Sequence, residues 1–399
     1  MEDIKIQIHA LAEAYQHDTI NIRRHFHKNP ELSRRENETA NFIATQLHAY
    51  GIPFQTGVAR TGIVALIEGK YPESKVVALR ADMDALPIHE TNECDYKSVN
   101  IGVMHACGHD VHMASLLGAA RILNQLKDHF SGTVKLIFQP SEESFPGGAT
   151  VMIQEGVLKN PDVSCILGQH TLPTLEAGKV GMKGGKYMAS TDEIYLTVKG
   201  RGGHAATPEL NIDPILISAH ILTALQQIVS RHAMSAIPTV LSFGRIEGAG
   251  QTNIIPDVVK IAGTFRTFDE KWRADAHELI TRMAQGIARS MGGDCEVVFD
   301  RGYPFLVNDY DLTQRCFAQA QAYLGKENVV DLDLRLTAED FAYFAQEIPG
   351  CFYRLGVRNE SRGIVSNLHS STFDVDETCL KVGMGLMAWL TFNELSFKI

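Results

Sequence analysis

Residues His105 to Ala114 read HACGHDVHMA, three histidines, a cysteine and an aspartate within ten positions. Cys107 and His109 lie two apart with Gly108 between them. A tight turn there can aim a thiolate and an imidazole the same way, a donor pair suited to zinc or a similar borderline cation. Further candidate ligands follow apolar runs elsewhere: the aspartates of RADMDALP, Glu143 in FQPSEE, His170 in GQHT and His369 in NLHSS. Glu143, His170 and His369 can complete two metal positions begun by Cys107 and His109.

Glu142 and Glu143 are adjacent. Neighbouring side chains in an extended loop diverge, so one can ligate while the other takes a proton from metal-activated water. Each signal alone has a plainer explanation. A single histidine is more often a satisfied core group, a buried cysteine a small hydrophobe, and a Glu-Glu pair a solvated face. His105 and His112 can simply cap or pack. Five such sites, each at the end of an apolar run, favour a metal centre.

Strands and helices must bring those sites together. Ile4, Ile8, Leu11, Ala12 and Tyr15 recur at helical spacing, and NETANFIATQLHAY predicts a second helix ending at Gly51. TGIVALIEG, KVVALRADMD, GTVKLIFQP and VSCILGQH read as strands, the second a continuous apolar run ending in charge. MASLLGAARILNQLKD has one apolar face and predicts a helix. Alternation of strand and helix implies an α/β domain with a mixed, mainly parallel sheet flanked by helices. In such a sheet the strand C-termini share one edge, where ligands gather.

The pattern changes near Gly184-Gly185. From TDEIYLTVKG the order is strand, helix, strand, strand, helix, strand, with Asp213 as an N-cap before Pro214. That is the ferredoxin-like α+β order. The expected organisation is residues 1–186 and 304–399 as two parts of a catalytic metal-binding domain, with 187–303 inserted as a lid or dimerisation domain. Glycine-bearing junctions would permit hinge motion.

The chain has 399 residues, 45% of them hydrophobic, and a formal charge of −10. This acidic balance argues against nucleic acid or an anionic membrane as partner. Seven irregularly spaced cysteines are a poor disulfide framework. No basic leader with an apolar core and no membrane-spanning run is visible, so the expected setting is cytoplasmic.

RADMDALPI, HACGHDVHMA, FQPSEE, GQHTLP, GRGGHAATP, TNIIPD and GTFRTF occur in this order, between RRHFHKNPELS and LHSSTFDVDE. In them the chain resembles the dinuclear metallo-amidohydrolases, which include aminoacylases, hippurate hydrolases, auxin-conjugate hydrolases and N-acetyldiaminopimelate deacetylases. These are relatives of the zinc carboxypeptidases. The resemblance implies two divalent ions (zinc, manganese, cobalt or nickel) on Cys107, His109, Glu143, His170 and His369, with Glu142 as general base. It implies that His204 steadies the tetrahedral oxyanion, and that Asn253 and Arg266 bind the substrate's carboxylate. Glycines beside His204 would let backbone approach a ligand closely. Where the carboxypeptidase relatives carry a histidine ligand and an orienting aspartate, this chain has Asp82 and Asp84. Asp84 matches the orienting aspartate and Asp82 the missing histidine, and both are expected to act behind the ligands.

The implied reaction is hydrolysis of a small-molecule N-acyl amino acid, with a homodimer or homo-oligomer as the possible assembly. A dipeptidase, a carboxypeptidase or an N-acetyldiaminopimelate deacetylase on the same scaffold is the alternative. A thiol enzyme using Cys107 with His109 fits poorly, because one tight turn is a poor frame for a nucleophile and its base. A non-catalytic binding protein would have no need of an intact Glu142 and ligand set.

Overall fold

The computed structural model describes residues 1–397. The chain divides into two compact units. The first comprises Met1–Tyr187, Val307–Asp333 and the chain from Asp340 onward. Its sheet has eight strands side by side: Phe54–Val58, Gly62–Glu68, Thr133–Gln139, Val76–Asp82, Cys165–Glu176, Gly350–Arg358, Val180–Met182 and Val329–Asp331. The four central ones, Thr133–Gln139 to Gly350–Arg358, run parallel. Gly62–Glu68 and Val180–Met182 flank them antiparallel, so the sheet is mixed.

Burial on both faces explains the apolar run before Asp82: all seven residues of Val76–Asp82 are buried. Helices Glu2–Lys28, His109–Gln125 and Cys379–Ser396 pack against one another. Ile8, Ala12, Leu116, Leu123, Met384 and Trp389 join the same core as Leu79 and Leu136 of the sheet. The buried Arg80 is satisfied within the first unit, donating to Gln139, Asp82 and Asp340.

Register sets the functional edge. Asp82 stands opposite Gln139, Arg80 opposite Gly168, and Arg354 opposite His170. His170 is therefore level with Asp82. The strand read as VSCILGQH runs on to Glu176, so His170 lies inside it and not past its end. Pairing with Gly350–Arg358 extends it, a partner invisible to local pattern.

The second unit comprises Met188–Leu306 and Leu334–Glu339. Its antiparallel sheet has the order Thr239–Gly248, Val258–Thr267, Asp192–Lys199, Asp294–Arg301. Helices Pro214–Gln227 and Glu270–Ser290 supply Ile217, Ile221, Ile280 and Ala284 to a core shared with Ile194, Leu196 and Phe265. Asp213 caps the first helix by accepting from Ile215 and Leu216, and the helix ends in a wider turn, Ile228–His232. Leu334–Glu339 falls inside the span 304–399 assigned above to the catalytic domain. It joins the second unit because Ala189 N donates to Arg335 O and Arg266 Nη1 to Leu336 O. No helix among the described residues is long and apolar enough to cross a membrane.

Candidate metal centre and catalytic site

Gly108, with φ +86°, makes the turn between Cys107 and the helix that begins at His109. A Cβ there would lie 2.5 Å from Thr171 Oγ1, so both the backbone angle and the packing require glycine. Thr171 Oγ1 donates to Cys107 O and ties this turn to the strand carrying His170. His369 has φ +60°, and its N–H donates to Ala106 O, which brings it beside the same turn.

These contacts converge the candidate ligands of the first unit. Cys107 Sγ is 3.5 Å from His170 Nε2 and 3.4 Å from His369 Nε2. Glu143 Oε1 is 3.4 Å from His369 Nε2 and 3.8 Å from His109 Nε2. Donor atoms of Cys107, His109 and His170 lie within 4.8 Å of one another, as do those of Cys107, Glu143 and His369. The two triads share the thiol.

The donor set fits divalent metal. Tetrahedral bonds of about 2.0–2.3 Å place neighbouring ligand atoms roughly 3.3–3.8 Å apart, the range of these separations. Glu143 Oε1 and both ring nitrogens of His109 are buried without hydrogen-bond partners among the described residues. His170 Nδ1 donates to Thr171 O at 2.9 Å, which leaves Nε2 as a lone pair facing Cys107. Burial, and then the Arg354 charge, hold the His170 ring well below its ordinary value, so it is neutral.

The electrostatics favour a cation. Burial opposes charge on His109, but Asp82, then Asp84 and Glu143, raise its ring to about 10. Burial, then Glu143, Glu142 and Asp82, push the Cys107 thiol well up. A metal ion is what turns such a thiol into a thiolate.

Asp82 and Asp84 address opposite nitrogens of His109. Asp84 Oδ1 lies 3.5 Å from Nδ1 and Asp82 Oδ2 3.8 Å from Nε2. Burial raises Asp82, but His109, His112 and Arg80 outweigh it and hold the carboxyl well below its usual range. Asp84 also anchors the glutamate loop. Its two oxygens accept the N–H groups of Glu142 and Glu143, each at 2.9 Å. Glu142 is buried and Glu143 partly so, and donor atoms of both lie within 4.8 Å of His109.

His204, Asn253 and Arg266 lie in the second unit. His204 pairs with Ile254 in a two-stranded ribbon, where Ala205 N donates to Asn253 O. His204 Nδ1 accepts from Ala206 N at 3.0 Å, so the proton sits on Nε2, and the residue is exposed. The neighbouring glycines serve the unit's own packing. A Cβ on Gly202 would meet Ile255 O at 2.4 Å, and one on Gly203 would meet Asn211 Oδ1 at 2.2 Å. Arg266 is half-buried, donates to Leu336 O at 2.8 Å, and makes no ion pair among the described residues.

Sequence reasoning missed a buried network behind the HACGHD turn. Asp110 Oδ2 accepts from Arg23 Nε at 2.7 Å and His27 Nδ1 at 2.8 Å, and His27 Nε2 reaches Glu90. RRHFHKNPELS carries Arg23 and His27, but nothing in a helical pattern tells an inward charge from a solvated one. His112 packs inside, and burial lowers the His105 ring to about 3.

A mixed sheet with a thiol-sharing cluster of imidazole and carboxylate donors at its C-terminal edge defines a metallohydrolase. Residues 78–391 match the model for peptidase family M20/M25/M40, and the chain belongs to this family of metal-dependent amidohydrolases. It is 41% identical over 367 residues to thermostable carboxypeptidase 2 of Saccharolobus solfataricus, covering 91% of this chain and 92% of that one. It is 43% identical over 307 residues to the N-acyl-L-amino acid amidohydrolase of Geobacillus stearothermophilus, covering 77% and 82%. Among solved structures, the YXEP protein of Bacillus subtilis, a dinuclear metal binding peptidase of the M20 family, superposes with a TM-score of 0.83. It is 35% identical and covers 96% of this chain and 99% of that one.

Proposed function

We propose that this enzyme hydrolyses the amide bond of N-acyl amino acids, releasing a carboxylic acid and a free amino acid. The observation that carries the reading is the pair of donor triads sharing Cys107, with Glu142 beside them. Cys107, His109 and His170 would hold one divalent ion, and Cys107, Glu143 and His369 a second. When bound, such ions acidify water at the site to a pKa of about 7 and polarise the scissile carbonyl.

Glu142 takes the proton from the attacking water and delivers it to the departing nitrogen. Its backbone is fixed by Asp84, so the carboxylate works from one position. Asp84 also steers His109, and Asp82 guards the ring's other nitrogen. His204 has its proton on Nε2, which suits it to donate to the oxyanion that forms on the carbonyl. Arg266 and Asn253 bind the substrate's carboxylate. A guanidinium suits this task because it can bond both oxygens. These roles make turnover depend on both units.

Carboxypeptidase action is the second reading, favoured by the similarity to the Saccharolobus carboxypeptidase. A peptide's last residue is itself an N-acylated amino acid with a free carboxylate, so the same groups serve both substrates. The deciding experiment is a panel of N-acetyl, N-benzoyl and long-chain N-acyl amino acids beside dipeptides and tripeptides. It is run on protein stripped of metal and reloaded with zinc, manganese, cobalt or nickel. Cleavage of the N-acyl amino acids with kcat/KM above that of every peptide is the expected result. Hydrolysis of peptides alone would replace this reading with the second.

A further inference from the structure

The loop that presents Glu142 begins with Ser141, whose φ is +58°. A non-glycine residue holds that left-handed conformation only when its surroundings impose it. Gly148 N donates to Ser141 O, and the side-chain partner is Glu36, fully buried and distant in sequence. Its Oε1 accepts from Ser141 N at 2.8 Å and from Ser141 Oγ at 3.1 Å. Thr61 Oγ1 donates to Oε2 at 2.9 Å and fixes the other end of the carboxylate. Arg34 N donates to Ser141 Oγ, so the hydroxyl is held from both sides.

Glu36 occupies the N-cap of helix Asn37–Ala49, yet its side chain makes no capping bond to that helix. N-caps favour short acceptors that serve the first-turn N–H groups. Glu36 reaches across to Ser141, where it serves the next loop. The consequence runs through three consecutive amides. Ser141 N points to Glu36, while Glu142 N and Glu143 N point to the two oxygens of Asp84. Glu142 N and Glu143 N converge on one carboxylate, as successive N–H groups do where the chain turns, and the turn begins at Ser141.

We infer that Glu36 is a positioning residue for the reaction: its buried carboxylate holds Ser141 left-handed and thereby places Glu142. The inference rests on the reading of Glu142 as proton carrier. Without the Glu36 acceptor, Ser141 relaxes toward ordinary backbone angles, and the amides of Glu142 and Glu143 swing off Asp84.

The test uses metal-loaded enzyme, an N-acyl amino acid that the wild type cleaves, and metal analysis of every variant. Glu36→Ala should lower kcat about ten- to a hundred-fold with little change in KM, as a small displacement of a catalytic group does. Glu36→Gln should stay near wild type, because its amide oxygen still accepts from Ser141 N. Ser141→Gly placed in the Glu36→Ala background should recover most of the loss, since glycine takes φ near +58° without strain. Wild-type kcat in Glu36→Ala overturns the inference. So does a folded, metal-replete double variant as slow as Glu36→Ala. Should Glu36→Ala not fold, Glu36→Gln must keep kcat and Ser141→Val must lose it, and either failure overturns the inference. Glu142→Gln runs in the same assay. If it stays active, the underlying reading falls; if it is inactive while Glu36→Ala is not, only the inference falls.

Discussion

Thr171 donates its backbone N–H to Nε2 of His112 across 2.9 Å. A backbone amide can only donate, so Nε2 is unprotonated and Nδ1 carries the hydrogen. Nδ1 lies 2.6 Å from Asp82 Oδ1 and donates to it. Burial lowers the His112 ring and keeps it neutral. One bond thus orients a ring that fixes Asp82, which lies against the candidate ligand His109.

The metal centre should feel this arrangement. His112→Phe leaves Asp82 Oδ1 without its donor, with Arg80 still on Oδ2, and groups that orient ligands are typically worth about 10- to 100-fold in affinity. Competition against a chromophoric chelator should show that loss with the fold intact by circular dichroism. Unchanged affinity would make His112 a packing residue only.

The two glutamates should separate by what they lose. Glu142→Gln should keep both metals and lose about 10² to 10⁴ in rate. Glu143→Gln should lose bound metal instead. Elemental analysis beside kcat distinguishes them, and the opposite pattern would mean that the two roles are reversed.

Arg266 should matter only to substrates with a free carboxylate. A hydrogen bond to a charged group is worth about 1.5–3 kcal/mol, so Arg266→Ala should cut kcat/KM on the acid roughly ten- to a hundred-fold. The matching primary amide should lose far less, and Arg266→Lys should not restore the acid. Equal losses on acid and amide would tie Arg266 to the second unit's own stability through Leu336.

Acid should weaken the second unit through Asp192. Burial alone would raise this carboxyl, but Arg273 and then His277 outweigh burial and hold it below 3.8. A carboxyl depressed in the folded state stabilises above its unfolded pKa, and that contribution fades as pH falls toward the folded value. Wild-type stability should therefore drop as pH falls below about 4. Asp192→Asn removes one of the two carboxylates paired with the buried Arg273 and leaves Glu270 as the other, so it should lower stability near neutrality and flatten the acid dependence. Urea unfolding of both proteins across this range provides the check, and parallel pH curves would contradict it.

Local pattern reached the strands and helices because burial on one or two faces writes itself into neighbouring positions. KVVALRADMD is a strand with both faces buried, ending at Asp82. Asp213 before Pro214 is a helix start whose bonds are made within three residues. The candidate ligands were legible for a related reason: thiol, imidazole and carboxylate groups grouped near apolar runs have few other uses in such numbers.

Sequence by itself thus determined the strands and helices and which thiol, imidazole and carboxylate groups accompany them, and so the class of chemistry. Tertiary structure alone decided how they meet. Sheet register set His170 level with Asp82, and the Thr171 contact demanded glycine at 108. It also decided that Asp84 holds the backbone of Glu142 and Glu143, and that Glu36 turns from its own helix to Ser141. The physical reason is range. Propensity and amphipathic spacing act over a few residues, whereas these bonds join groups 58 and 105 positions apart and exist only once the sheet has assembled.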